Sequence, residues 1–176
     1  TTIMFTGRNT SESYLNDAAL ARLLGRSPLL AELDVSGAAN LSPLALHLLP
    51  RPPLRVLRLC RSGIACDEGL AAAAECFAPT LQLLDASGSA RVTDAGCGAL
   101  HGCTSLRTLD LSGASCSDAG VKGLLAALAT RTSGGGACGR LERIELASCR
   151  SLERSTRHEA AQGLRPLLKH LGLLAA

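Results

Sequence analysis

One pattern of apolar residues returns five times along the chain and constrains its fold more than any other feature. Each copy opens on an apolar residue, with a second three positions later and a third two positions after that. The opening residues lie 24, 27, 25 and 35 positions apart, at Leu30, Leu54, Leu81, Leu106 and Leu141. The second and third apolar positions are Leu33 and Val35, Leu57 and Leu59, Leu84 and Ala86, Leu109 and Leu111, and Ile144 and Leu146. A unit this short cannot bury its apolar face alone, so the series predicts stacked units that share one core.

Each unit is expected to hold a short strand followed by a short helix. In the unit from 81 to 105, alternating apolar residues predict the strand, and Asp94 falls where an N-cap would accept the free amides of the helix. Cys97 then lies on the buried side of that helix. The same helix entry recurs as Asp67-Glu68-Gly69-Leu70 and Asp118-Ala119-Gly120-Val121. The regular spacing of these aspartates indicates helix capping rather than catalysis.

Several segments match one repeat consensus, Leu-x-x-Leu-x-Leu-x-x-Cys-x-x-Ile-Thr-Asp-x-Gly-Leu-x-x-Leu-x-x-x-Cys. They are Val92-Thr93-Asp94-Ala95-Gly96, the strand Leu106-Arg107-Thr108-Leu109-Asp110-Leu111, and the late-helix residues Cys76 and Cys103. In these segments the chain resembles the leucine-rich repeat family, in particular its cysteine-containing subclass, over about residues 30 to 165. The ninth position departs from the consensus and reads Ala38, Ser62, Ser89, Ala114 and, only once, cysteine, at Cys149. The resemblance implies an α/β leucine-rich-repeat solenoid, curved, with an inner parallel β-sheet and short outer helices.

The first 29 residues are less regular than the units that follow. We interpret residues 1–29 as a degraded first repeat or an N-terminal cap, with a strand at Ile3-Met4-Phe5 and a polar turn at Thr10-Ser11-Glu12-Ser13. A helix should follow, because four leucines are spaced for one helical face. They are Leu15, Leu20, Leu23 and Leu24.

The repeats are assigned to residues 30–165, and the remaining residues, 166–176, to a C-terminal capping helix or a truncated repeat. Pro166 is expected to kink or end the last helix of the repeats, because proline removes a helix hydrogen bond. One unit is lengthened by a run that includes Gly134-Gly135-Gly136, for which a surface loop is expected.

Composition narrows the possible functions. The chain is 47% hydrophobic but only 2% aromatic, which suits thin stacked layers of small side chains. Its net charge of +3 is spread along the sequence, and this argues against nucleic-acid and membrane partners. No apolar run reaches the ~20 residues of a membrane-spanning helix. The four histidines lie apart from any cysteine, serine or carboxylate pair of the same register, so we expect no catalysis, no cofactor and no small-molecule substrate.

Eight cysteines raise the question of zinc or disulfides, but none of them forms a Cys-x-x-Cys pair. Most fall at core-facing positions, where a free thiol behaves as a small apolar group. We therefore expect neither bound zinc nor a disulfide, and a reactive thiol chiefly at Cys138 in the glycine-rich run. Free thiols indicate a reducing intracellular compartment, either the cytoplasm or the cilium.

Charged residues on the strands form the candidate site. The fifth position of the units reads Asp34, Arg58, Asp85, Asp110 and Glu145, and neighbouring units place these side chains ~4.8 Å apart. A bound basic segment would relieve the repulsion among the three successive acids, which are expected to point to solvent and to cap nothing. The candidate partner-binding residues of the concave face are Arg55, Arg58, Arg61, Asp85, Arg107, Asp110, Arg143 and Glu145.

These observations favour a non-catalytic intracellular module for protein–protein interaction, a scaffold or structural component of a multi-subunit complex. The resemblance implies an alternative, since such repeats follow F-box domains in ubiquitin-ligase receptors and also occur in ciliary proteins. In that alternative the chain is the substrate-recognition part of an SCF-type ubiquitin ligase. An F-box upstream of the repeats would distinguish the two.

Overall fold

The computed structural model describes residues 2–4, 15–130 and 140–174, and these form an α/β structure with one parallel sheet. The six strands are β1 (Thr2–Met4), β2 (Glu32–Asp34), β3 (Val56–Arg58), β4 (Leu83–Asp85), β5 (Thr108–Asp110) and β6 (Arg143–Glu145). The seven α-helices of the described residues are α1 (Asp17–Leu24), α2 (Leu44–His47), α3 (Asp67–Phe77), α4 (Asp94–Ala99), α5 (Asp118–Thr130), α6 (Arg154–Gln162) and α7 (Leu164–His170). A short 3-10 turn, Leu100–Gly102, follows α4.

The strands lie in the sheet in their order along the chain, and each pairs with the next at equivalent positions. Leu57 pairs with Leu84, Leu84 with Leu109, and Leu109 with Ile144. These middle residues are buried, while their neighbours in the strand project to the opposite face. The register confirms the units predicted from the spacing of the leucines, and the α/β class is confirmed with it.

The helices cover one face of the sheet and share a single core with the middle residues of the strands. In α5 the buried apolar residues lie along one face of the helix, namely Val121, Leu124, Leu125 and Leu128. The prediction for α1 is wrong at Leu23, whose side chain is 56% exposed while Leu20 and Leu24 are buried. Leu23 lies about 100° around the helix from Leu24, which takes it out of the buried stripe.

In each of the five units a tight turn follows the strand, and the eighth position of the unit lies within that turn. At that eighth position the backbone adopts positive φ, a conformation that favours glycine. The residues are Gly37 (79°), Arg61 (53°), Gly88 (75°), Gly113 (79°) and Ser148 (60°). Arg61 and Ser148 therefore hold a conformation for which three other units use glycine.

The helix starts differ from the sequence prediction. Thr93, not Asp94, is the N-cap of α4, and its hydroxyl accepts from the amide of Ala95. The carboxylate of Asp94 instead accepts hydrogen bonds from the amide and the hydroxyl of Ser117, each at 2.6 Å, at the start of the next unit's helix. The recurring aspartates therefore cap the following helix rather than their own.

The same bridge joins other pairs of units. Asp17 accepts from the amide and the hydroxyl of Ser42, and Asp118 accepts from the amide of Glu153, the N-cap of α6. One joint lacks it. Pro43 occupies the place of the aspartate there, and the N-cap of the next helix, Cys66, makes no side-chain capping bond.

At the ninth position two side chains reach back to the preceding unit. Ser89 donates from Oγ to the carbonyl of Ala65 at 2.5 Å, and Cys149 donates from Sγ to the carbonyl of Leu111 at 3.1 Å. Ser62 at the same position is buried and has no partner among the residues that the structure describes. The departure from the consensus therefore leaves an interrupted set of bonds rather than a continuous ladder.

The last two helices separate at Gly163, whose φ of 124° is open to glycine but strained for other residues. The break was predicted at Pro166, which instead lies in the first turn of α7, where proline is tolerated. Three predictions concern residues outside the described ranges. They are the ones for Phe5, for the turn at residues 10–13, and for Gly134–Gly136 with Cys138. Within the described ranges, no helix combines the length and the apolar character needed to cross a bilayer.

Candidate binding surface on the sheet

The face of the sheet opposite the helices is formed by the first and third residues of each strand. We call it the open face, and define it by the residues of β2 to β6. They are Glu32, Asp34, Val56, Arg58, Leu83, Asp85, Thr108, Asp110, Arg143 and Glu145. Because these side chains stand on paired strands, their relative positions are fixed by the backbone.

The charged row predicted from the sequence is present in register. Asp34 pairs with Arg58, Arg58 with Asp85, Asp85 with Asp110, and Asp110 with Glu145. Three acidic residues therefore stand on consecutive strands, with Arg58 beside them. Strands in a sheet lie ~4.8 Å apart, so the three carboxylates repel one another across the open face.

The prediction that Asp85 and Asp110 cap nothing is wrong. Oδ1 of Asp85 accepts from the amide of Ser87 at 2.9 Å, and Oδ1 of Asp110 accepts from the amide of Ser112 at 2.8 Å. Each carboxylate thus closes the turn that follows its own strand, a common role of aspartate. The second oxygen, Oδ2, has no hydrogen-bond partner within the described part of the chain, and it is available to a ligand.

Three of the predicted site residues are paired within the chain. Arg107 forms an ion pair with Glu142, and Arg143 forms one with Glu145. Arg107 and Arg143 are largely exposed, so each pair contributes little to stability. These ion pairs compensate charge at the β5–β6 end of the open face. Asp85 and Asp110 form no ion pair within the described residues.

The predicted arginines of the unit that begins at Leu54 have no such partners. No ion pair within 4.0 Å joins Arg55, Arg58 or Arg61 to an acidic group of the described residues, and Arg55 and Arg61 are exposed. The three recur at every third position along one unit. They form a positive cluster on the unit of β3, between Glu32 and Asp34 of β2 and Asp85 of β4.

Sequence reasoning missed an apolar pair next to these charges on β3 and β4. Val56 and Leu83 are direct partners on β3 and β4 and are only partly buried on the open face. The signal was in the third position of the units, which reads Glu32, Val56, Leu83, Thr108 and Arg143. Comparing that position across the units would have identified two adjacent apolar residues.

The structure brings one histidine close to a cysteine, although both residues lie on helices and not at strand ends. On the helix side of the sheet, Nδ1 of His47 lies 3.6 Å from Sγ of Cys76. Partial burial raises the pKa of the Cys76 thiol, which opposes the thiolate that a nucleophile would need. The pair therefore does not resemble an activated cysteine.

A separate cleft lies between the last two helices. It has a volume of about 520 Å³ and is lined by Glu159, Arg165, Pro166, Lys169 and His170. His170 is held by Thr156, whose Oγ1 lies 3.2 Å from Nε2 of the imidazole. No strand of the sheet contributes to this cleft, so it is distinct from the open face.

No group of three or more histidine, cysteine or acidic residues is arranged to hold a metal ion within the described ranges. All seven cysteines that the structure describes are free thiols, and five of them are buried. Comparison of the sequence with protein-family models and with curated proteins finds no match.

Proposed function

We propose that this chain is a non-catalytic intracellular protein-interaction module that binds a partner on its open face. We further propose that it acts as a scaffold component of a multi-subunit complex. The observation that carries the proposal is the partly exposed apolar pair, Val56 and Leu83, which lies next to charged residues. Unpaired arginines lie in the same unit as Val56, whereas Asp85 and Asp110 lie on β4 and β5.

This arrangement has the anatomy of a protein interface. Interfaces combine an apolar centre with a polar rim, and arginine is enriched among the residues that contribute most to binding. The flanking charges act mainly by steering association and by rejecting partners of the wrong charge. A small molecule would need a concave pocket of converging groups, whereas the open face is a broad surface across several strands.

The proposed architecture is a leucine-rich-repeat solenoid. Its support is the in-order parallel pairing of the strands, the recurrence of positive φ at the eighth position, and the aspartate that caps the following helix at every described junction except the one at Pro43. An intracellular, reducing location is supported by the free thiols of the described residues.

Affinity capture from a cell lysate tests this function, with the double variant Val56→Ser and Leu83→Ser compared with the wild type. The matched control is Leu44→Ser with Leu48→Ser, because these leucines are exposed on α2 and away from the sheet. We expect the captured partner to be lost with the open-face variant and kept with the helix variant. Equal loss or equal retention in both variants would contradict binding at the open face.

A further inference from the structure

Arg61 holds a backbone conformation that is costly for arginine. Its φ is 53°, in the left-handed region where the side chain crowds the backbone. At the equivalent position three other units carry glycine, which adopts this conformation without strain. Strained residues of this kind persist where something offsets their cost, and they concentrate at binding sites.

No ion pair within the described residues offsets that cost. The Arg61 side chain is exposed, and no acidic group of those residues lies within 4.0 Å of its guanidinium. The amide of Arg61 does donate to the carbonyl of Ser87, but glycine at this position makes the same kind of bond, as Gly88 does to Ser112. The bond therefore does not explain the choice of arginine.

Glycine at position 88, in the neighbouring unit, leaves room for the Arg61 side chain. A methyl group added at Gly88 would lie 2.8 Å from Cγ and 3.2 Å from Nε of Arg61. The arginine thus extends from the unit of β3 to the unit of β4 and lies over Gly88. At Gly113, one unit further, an added methyl group would meet only the backbone of Gly88, at 3.5 Å.

We propose that Arg61 is a binding residue for a carboxylate of the partner, supported by Arg55 and Arg58, and this rests on the proposed function of the open face. The partner is inferred to be a helical segment with three parts: an acidic end at these arginines, an apolar residue on Val56 and Leu83, and a basic end at Asp85 and Asp110. Each part meets an unpaired group of complementary character.

The spacing of the open face favours a helix over an extended segment. A helix laid across the strands presents one side chain per turn of about 5.4 Å, close to the ~4.8 Å between strands. An extended chain presents same-side residues about 6.6 Å apart, which loses register within two strands. Acidic residues near the start of a helix and basic residues near its end also stabilise the helix itself, so the segment would be partly preorganised.

The probe for this inference is a synthetic helical peptide of about 15 residues. It carries two glutamates in its first turns, a leucine in the next and two lysines in the last, and a second peptide replaces the glutamates with glutamine. Binding is followed by nuclear magnetic resonance of the isotope-labelled chain, including the Nε–Hε signals of the arginines. The chain is used as wild type and as Arg61→Gly, Gly88→Ala and Gly113→Ala.

We expect Arg61→Gly to weaken binding of the glutamate peptide at least tenfold and to leave binding of the glutamine peptide unchanged. Its melting temperature should stay equal or rise by up to about 4 °C, because backbone strain is removed and no ion pair within the described residues is lost. Gly88→Ala should weaken binding, since the methyl group displaces Arg61. Gly113→Ala carries the same backbone strain and should lower only the melting temperature.

The outcomes separate the two proposals. A peptide that binds the open face equally well after Arg61→Gly overturns the role of Arg61 and leaves the interaction function standing. A lower melting temperature for Arg61→Gly overturns it as well, since contacts within the chain would then account for the arginine. No resonance shift on the open face with either peptide, up to about 1 mM, overturns both proposals.

Discussion

The carboxylate of Asp67 accepts both the amide of Thr93, at 2.7 Å, and its hydroxyl, at 2.6 Å, across the joint between two units. The same carboxylate accepts a third bond from the amide of Gly96, at 2.9 Å. A side chain at Gly96 would collide with it, because an added methyl group would lie 2.5 Å from Oδ1 of Asp67. One acidic residue therefore satisfies the free donors at the start of the next helix, and glycine makes room for it.

Replacing Asp67 with alanine should destabilise the chain by about 1.5–3 kcal/mol, because three donors lose a charged acceptor. Thr93→Val should also destabilise it, since the hydroxyl bond is lost, whereas Thr93→Ser keeps both bonds and is the matched control. Urea denaturation followed by circular dichroism measures the three variants. Equal midpoints for Thr93→Val and Thr93→Ser would show that the hydroxyl bond contributes nothing.

Leu84 and Leu109 are fully buried partners on adjacent strands, and truncation of either to alanine should cost about 2–5 kcal/mol. Stacked units support one another, so the loss should appear as a lower unfolding midpoint for the whole array. Leu23→Ala is the control, because that side chain is more than half exposed and its truncation should change stability by less than about 0.5 kcal/mol. Similar effects at all three sites would contradict the core described above.

If Asp85 and Asp110 capped nothing, as the sequence predicts, their reversal to lysine would leave the fold intact. The structure changes this expectation, since each reversal removes a turn hydrogen bond and should cost about 0.5–1.5 kcal/mol. Asparagine at both positions keeps the acceptor and removes only the charge. The asparagine pair should retain stability while association with a lysine-bearing peptide slows and loses its salt dependence.

Stopped-flow association at several ionic strengths, with urea denaturation of each variant, tests this pair of effects. A salt dependence that survives in the asparagine variant would place the basic contact away from these two residues. Equal stability of the lysine and asparagine variants would show that the turn bonds carry little weight.

Burial raises the pKa of the Cys103 thiol from 9.0 to about 12. The unfolded chain therefore releases this proton first as the pH rises, and the stability contributed by the neutral buried thiol is present below pH 9 and lost between pH 9 and 12. The loss should reach about 1.4 kcal/mol per pH unit within that window. Cys103→Ala should show a shallower decline over the same window, measured by urea denaturation; parallel declines would contradict the assignment.

Local spacing was sufficient to predict the strands and most of the core. Leu57, Leu84 and Leu109 were placed correctly because the apolar alternation repeats with each unit and one register buries all of them. The helix break was misplaced because Pro166 was read as a helix breaker, whereas its position in the first turn of α7 is compatible with a helix. Pro166 lies in a first turn only because α6 ends at Gly163, and the apolar pattern of the sequence does not predict that end.

The error in the helix caps has a different origin, because the contacts involved join distant residues. The bond from Ser117 to Asp94 spans 23 residues, and nothing in the local sequence of Asp94 distinguishes a cap for its own helix from a cap for the next one. The path of Arg61 over Gly88 likewise depends on two units being stacked. The charged row and the apolar pair could both be predicted from the repeat, but the pairing of Arg107 with Glu142 joins residues 35 positions apart and needed the assembled sheet.

The joint at Pro43 and Cys66, which has no bridging carboxylate, has a consequence for how the chain opens. In a linear array each unit is held only by its neighbours, so the array parts first where the coupling is weakest. Amide protons of α1 and α2 should then exchange with solvent together, as one cooperative block, before those of α3 to α5. Partial opening of this kind would release the N-terminal block from the rest of the sheet while β3 to β6, and the binding surface that they carry, stay folded.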